Sequence, residues 1–183
     1  MQRKKSKNVT YSNKYFKVVL KDDYYQIVPK NRDVLVVPIV DKKNFLLVKV
    51  RREFIQKNIY DFPAGGFDIL RESPLLAAKR ELEEETGVIL NKKNKFFKIS
   101  DFYQMPNRIK EMVFIYGVHL SSKQINLDFN SNEIYSLEIM SYAKILNLIK
   151  KGELNAAVPI AALFSYVLKN NKLIEFIRNT KNI

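Results

Sequence analysis

The sequence predicts an α+β domain built on a mixed β-sheet, and three observations carry that expectation. Strand-like stretches, read from two-residue alternation or short apolar runs, outnumber helical patterns. The three helical patterns are not interleaved with the strands one for one, so no βαβ series is written into the chain. No internal repeat, low-complexity linker or second composition regime divides the 183 residues, a length that suits one domain with a small appended element.

In chain order, Tyr15 to Lys21 and Tyr24 to Lys30 alternate around Asp22-Asp23 and predict a β-hairpin. That hairpin defines an N-terminal element over residues 1–30, ahead of a main domain over 31–183. The run Asp33 to Val40 is strongly apolar, and Pro38 inside it points to a strand at an edge or bulge. Asp41 to Asn44 is a turn, Phe45 to Arg52 the returning strand, and Ile59 to Phe67 a short strand leading into Pro63-Ala64-Gly65-Gly66. Ser73 as N-cap and Pro74 at the first helical position start a helix that Gly87 ends with a left-handed cap. Leu75, Ala78 and Leu82 form the stripe expected to dock that helix on the sheet. Strands follow at 96–104, 111–120 and 133–140. Two helices close the chain: Tyr142 to Lys151, ended by Gly152, and Val158 to Arg178, apolar at Ile160, Leu163, Phe164, Val167 and Leu168.

Composition narrows the chemistry. With 46% apolar residues the chain can bury a core, and no apolar run approaches the ~18 residues of a membrane span. The absence of cysteine removes disulfides, thiolate metal sites and thiol nucleophiles, and suits a reducing cytoplasm. The basic start has no apolar segment behind it, so no signal peptide is read and a cytoplasmic protein is expected. A net charge of +13 favours anionic ligands, yet the lysines are scattered rather than blocked. No basic run interleaved with aromatics tracks a nucleic-acid strand, so a nucleic-acid partner is not expected.

The densest signal is Gly66 to Val88. It reads Gly66, five residues, Glu72, seven residues, then Arg80-Glu81-Leu82-Glu83-Glu84-Glu85-Thr86-Gly87-Val88. On a helix Glu81, Glu84 and Glu85 stand at i, i+3 and i+4, so the three carboxylates share a face. Like charges so close destabilise one another, and a hard divalent cation relieves the penalty while bridging to substrate phosphates. Gly66 permits a close backbone approach, Arg80 is placed to orient carboxylates, and Glu72 to brace Arg80 or join the site. A Glu-rich helix face alone is ordinarily just solvated, but the fixed glycines and Glu72 make a chance match on the order of 10⁻⁷.

This stretch resembles the Nudix box of hydrolases that split a nucleoside diphosphate linked to another moiety. The resemblance implies an α/β/α sandwich, Mg²⁺ or Mn²⁺ held by Glu81, Glu84 and Glu85, and water attack on a phosphorus. Asp61 to Gly66 is similar to the Glu-Leu-Pro-Ala-Gly segment of the ADP-ribose pyrophosphatase subfamily, which assigns a carbonyl metal ligand to Ala64. The strand Val48 to Phe54 resembles that subfamily's Val-x-Gln-Tyr-Arg approach, so Arg51 or Arg52 would hold substrate phosphates. The N-terminal hairpin matches an element that pairs two subunits into a homodimer and brings aromatics to the base, with Tyr24, Tyr25 and Phe16 as candidates. Pro106 takes the place of a subfamily proline, two residues later than usual and between Met105 and Asn107. In the late acidic loop Glu133 is the nearest match to a catalytic base, with Ser131 where a second acid often stands, and Glu81 and Glu111 are the alternatives. His119, in an apolar strand pattern, is read as outside the chemistry. The substrate so implied is a nucleoside diphosphate sugar such as ADP-ribose. Another nucleotide sugar such as GDP-mannose, an RNA 5′ end, or binding without catalysis are the competing readings.

Overall fold

The computed structural model describes residues 8–21, 23–129, 131 and 133–170. The basic start over 1–7, the turn residue Asp22 and the last helix beyond 170 lie outside the described residues. Two sheets form. The smaller is antiparallel, in the order β1 (Asn8–Ser12), β2 (Phe16–Lys21), β3 (Tyr24–Pro29). Its β2–β3 hairpin is the expected one, and Asp23 takes the positive φ of 65° at the turn. Strand β1 was not anticipated: its alternation, Val9 and Tyr11 between polar residues, spans only five residues.

The larger sheet has seven strands, β4 (Arg32–Val40), β5 (Asn44–Arg52), β6 (Lys57–Asp61), β7 (Ala64–Phe67), β8 (Phe96–Tyr103), β9 (Met112–Leu120) and β10 (Ile134–Ser141). The main path runs β10-β5-β4-β9-β8, with β6 on β5 and β7 on β4. Strands β4 and β9 are parallel and the other pairs antiparallel, so the sheet is mixed.

Helix α1 (Pro74–Thr86) covers one face, and α2 (Tyr142–Lys151) with α3 (Ala157–Lys169) the other. Alternate residues of β4 serve the two layers. Val34, Val36 and Val40 pack with Ala77, Ala78 and Leu82 of α1, while Leu35, Val37 and Ile39 pack with Ile145, Leu163 and Tyr166. A strand buried on both faces reads as an unbroken apolar run, as Val34 to Val40 does. The architecture is thus the expected α/β/α sandwich, with the small β1–β3 sheet appended. Among the described residues no helix is long and apolar enough to cross a membrane.

Three expectations need correction. Pro38 sits in a central strand, not at an edge or bulge. Its register partner on β9 is Val118, and on the other side it falls between the β7 ladder, ending at Leu35, and the β5 ladder, starting at Ile39. Val36, two residues before, finds its acceptor in the Pro63 carbonyl, so the ladder gap tolerates a residue without an N–H. In α1 the docking stripe is Ala77, Ala78, Glu81 and Leu82, where small residues let the helix lie close to the sheet, and Leu75 lies outside it, 37% exposed. In α3 the buried face is Pro159, Ala162, Leu163, Tyr166 and Val167, while Phe164 and Leu168 face outward.

Candidate active site

Local sequence builds α1 as expected. Ser73 Oγ accepts the Leu76 N–H, Pro74 occupies the first turn, and Gly87 caps the end at φ 65° with its N–H on the Glu83 carbonyl. A side chain at Gly87 would be strained by that φ and would also collide with Phe129.

The face of α1 turned to β7 carries the charged cluster. Arg80 is its hub: Nε and Nη2 grip both oxygens of Glu72 (3.2 and 3.0 Å), and Nη1 donates to Glu81 (2.6 Å) and Glu84 (3.0 Å). Nη2 also donates to the Gly66 carbonyl at 3.2 Å. Glu81 is buried, and burial pushes its carboxyl up against the opposing pull of Arg80. Glu85 accepts the Ala64 N–H at 3.0 Å and is pushed up to about 8, first by burial and then by repulsion from Glu81, Asp61 and Glu133. Glu84 lies at the exposed end of the row.

The close approach anticipated at Gly66 belongs to Gly65. A Cβ at Gly65 would overlap the Glu81 carboxylate, whereas one at Gly66 would make only ordinary contact with Asp33 and Arg32. Gly66 serves instead through its carbonyl, which anchors Arg80.

Beside this cluster a cavity of about 470 Å³ opens at the edge of the sheet. Its walls include Ala64, Gly65 and Gly66, Arg52 and Asp61, Asp33 at the start of β4, Gln104 and Met105 after β8, and Ala156 to Pro159 at the start of α3. Helix α3 has no side-chain N-cap, so its positive end adds to the attraction of the wall for anions. The volume is in the range that holds a nucleotide-sized ligand.

The structure separates the two candidate arginines. Arg52 is on the cavity wall and donates to the buried Asp61 at 2.6 Å, whereas Arg51 turns to the opposite face of β5 and bonds Glu53 (2.9 Å) and Gln56 (2.7 Å). Met105 and Gln104 line the cavity, and Pro106 beside them does not. Tyr24 lies off the cavity on β3, in a recess with Lys21, Gln26 and Asn107, its ring 4.8 Å from the Arg108 guanidinium. Tyr25 is exposed and Phe16 packs on Tyr11 at 5.9 Å.

Glu133 is exposed, and its charge is felt at Glu85. Glu111 instead hydrogen-bonds Asp33 and is pushed up to about 7 by burial and by Asp33. His119 stacks on Phe97 at 5.5 Å and pairs with Ile39 at the other end of β4, away from the cavity.

Among the described residues, no three acidic or imidazole side chains converge into a closed cation cage as they stand. Arg80 holds Glu81 and Glu84, and the Ala64 N–H holds Glu85. The donor set itself suits a hard cation: oxygen donors only, with the buried Glu81 and half-buried Glu85 pushed up chiefly by desolvation. Sequence reasoning passed over Gly65, Asp33, Gln104 and the start of α3, which chain folding alone brings to the cavity, and gave Asp61 no role.

The NUDIX domain profile matches residues 29–163. The chain is 28% identical over 145 residues to the ADP-ribose pyrophosphatase of Bacillus subtilis (strain 168), spanning 79% of this chain and 76% of that protein. It is 26% identical over 139 residues to the methanol dehydrogenase activator of Bacillus methanolicus, spanning 75% and 73%. Among solved structures, an ADP compounds hydrolase shares the fold at a TM-score of 0.71 and 18% identity, over 90% of this chain and 93% of that one. The intact box on α1, its setting against β7 and a profile match over most of the chain together place this protein in the Nudix family of hydrolases.

Proposed function

We propose that the protein hydrolyses the diphosphate bond of ADP-ribose, or of a similar nucleoside diphosphate sugar, to AMP and a sugar phosphate. The observation that carries the reading is the row of carboxylates, Glu81 buried and Glu85 half-buried with both pushed up by desolvation, beside a nucleotide-sized cavity that Arg52 also lines. The likeness to the Bacillus subtilis enzyme supports ADP-ribose as the first substrate to try.

Nudix hydrolases generally work with divalent metals, and Mg²⁺ or Mn²⁺ fits the oxygen donors of Glu81, Glu84, Glu85 and the Ala64 carbonyl. Bound there, the cation would neutralise the diphosphate and acidify a water. The protein's own groups do the rest. Arg52 binds phosphate oxygens, Arg80, braced by Glu72, orients Glu81 and Glu84, and Gly65 lets Glu81 reach the loop. Glu133 takes the proton from the attacking water. Among the described residues its carboxylate has no hydrogen-bond partner, whereas Glu81 is engaged by Arg80 and Glu111 by Asp33.

The second copy of the chain belongs to the same proposal. Residues 1–30 form a dimerisation element: β1–β3 leave Tyr11, Tyr25 and Ile27 exposed, and a homodimer would cover them. A panel of ADP-ribose, GDP-mannose and triphosphorylated RNA, each with and without Mg²⁺, tests the assignment. AMP release from ADP-ribose is expected only with metal. Faster turnover of GDP-mannose would move the substrate, and no turnover on the panel would overturn the catalytic reading.

A further inference from the structure

Asp61, Glu81 and Thr86 are the buried polar or charged residues among those described; Glu81 belongs to the carboxylate row, Thr86 donates to the Leu82 carbonyl, and Asp61 is the charged one that the chemistry above leaves without work. Both its oxygens are committed. Oδ2 accepts from Arg52 Nη2 at 2.6 Å, and Oδ1 accepts the Phe62 N–H at 2.8 Å. The bond to Arg52 is not one that strand pairing imposes: opposite Arg52 stands Lys57, and opposite Asp61 stands Val48. The Arg52 side chain therefore reaches back along the ladder, past Val50 and Ile59, to find Asp61. Its guanidinium remains half exposed at the cavity wall, and among the described residues Nε and Nη1 have no partner.

Asp61 also lies close enough to Glu85 for their charges to repel. Without Asp61, the nearest attraction for a cation at Arg52 would be the carboxylate row itself, and a guanidinium collapsed onto Glu85 would block a metal ligand and be lost to substrate. We propose that Asp61 is a positioning residue for diphosphate recognition: it fixes Arg52 on the cavity wall, with free N–H groups toward the phosphates, and holds it off Glu85. The proposal rests on the diphosphate-hydrolysis reading. An acid is required because two acceptors are needed at once. Asparagine offers one oxygen and would turn N–H groups toward either the guanidinium or the Phe62 N–H.

The test is a double-mutant cycle on the full chain, read by steady-state kinetics on ADP-ribose and by calorimetric ADP binding with and without Mg²⁺. Asp61→Asn is expected to raise KM and weaken ADP binding about 10-fold while kcat changes less than about 3-fold, the pattern of lost substrate binding. In an Arg52→Ala background it should add less than about 2-fold, since its effect runs through that arginine. Asp61→Glu, which keeps charge and both acceptors, should recover affinity to within about 3-fold. If Asp61→Asn does not fold by thermal melting, Asp61→Ser, smaller and still an acceptor, replaces it in the cycle. Unchanged KM and ADP affinity, a full effect in the Arg52→Ala background, or Asp61→Glu as damaging as Asp61→Asn would overturn the role. A wild-type protein that binds ADP but cleaves no ADP-ribose sinks the substrate assignment alone, because the binding arm still tests Asp61. One that does not bind ADP overturns both.

Discussion

Between Asp61 and Gly87 charged side chains answer to one another, whereas between Asn8 and Pro29 several large apolar ones, four tyrosines among them, face outward. In the first region Arg80 gathers Glu72, Glu81, Glu84 and the Gly66 carbonyl, and Glu85 takes the Ala64 N–H. All these groups lie between Ala64 and Glu85, on one strand, one loop and one helix. In the second region Tyr11, Tyr15, Tyr24 and Tyr25 are each more than half exposed. That sheet is joined to the main body through β3, where Ile27 donates to the Arg108 carbonyl (2.8 Å) and accepts from Lys110 (2.9 Å). The difference teaches what each can do alone. The first forms a polar network complete within its own stretch of chain. The second is a surface whose stability and use depend on something laid against it.

The sharpest way to break this comparison is to remove a half-buried carboxylate from the self-contained region. Glu85→Gln is expected to lower kcat by at least ~100-fold with little loss of melting temperature, measured by AMP release and calorimetry. A wild-type rate would remove Glu85 from the chemistry. Next comes Gly65→Ala. The added methyl meets only the end of the Glu81 side chain, which swings aside, so kcat should fall about 10-fold while melting shifts by no more than ~2 °C.

The pH dependence of metal-free stability gives a third, smaller effect. Glu85 and Glu111 are raised from the ordinary 4.5 to about 8 and about 7, so the folded protein binds their protons more tightly than the unfolded chain. Their contribution is complete below about 4.5 and is lost as pH rises through 7 and 8. Melting of the metal-free protein should therefore decline from pH 5 to 8, and Mg²⁺ should raise it more at pH 8 than at pH 6. Equal metal effects at both pH values would contradict the raised proton affinity of Glu85.

Ile27→Asp probes the other region. It should convert a homodimer to monomers by light scattering, and an unchanged mass would mean that this face is not the interface. The smallest effect is expected of Arg51→Ala: less than about 2-fold in KM, against a loss of ~10-fold or more for Arg52→Ala.

Most of α1 and its chemistry was legible because caps and helical spacing are local properties: Ser73, Pro74, Gly87 and the i, i+3, i+4 carboxylates need only their neighbours in the chain. The misreadings have a shared cause. Pro38 was assigned to an edge because a missing N–H matters only against a partner strand, and the sequence does not say where the β5 and β7 ladders leave a gap. Leu75 and Phe164 were assigned to buried faces because hydrophobicity marks a stripe without saying which side of it the sheet will meet.

By itself, then, the sequence determined the fold class, the helix with its three glutamates on one face and the hydrolase family, since strand alternation, helical spacing and the box are written in residues close in the chain. Tertiary structure alone decided that Arg52 rather than Arg51 meets the cavity, because the choice turns on the pleat of β5 and a buried Asp61 on the neighbouring strand. It also decided that Gly65 rather than Gly66 makes room for Glu81, because β7 and α1 meet there at a distance that excludes a Cβ.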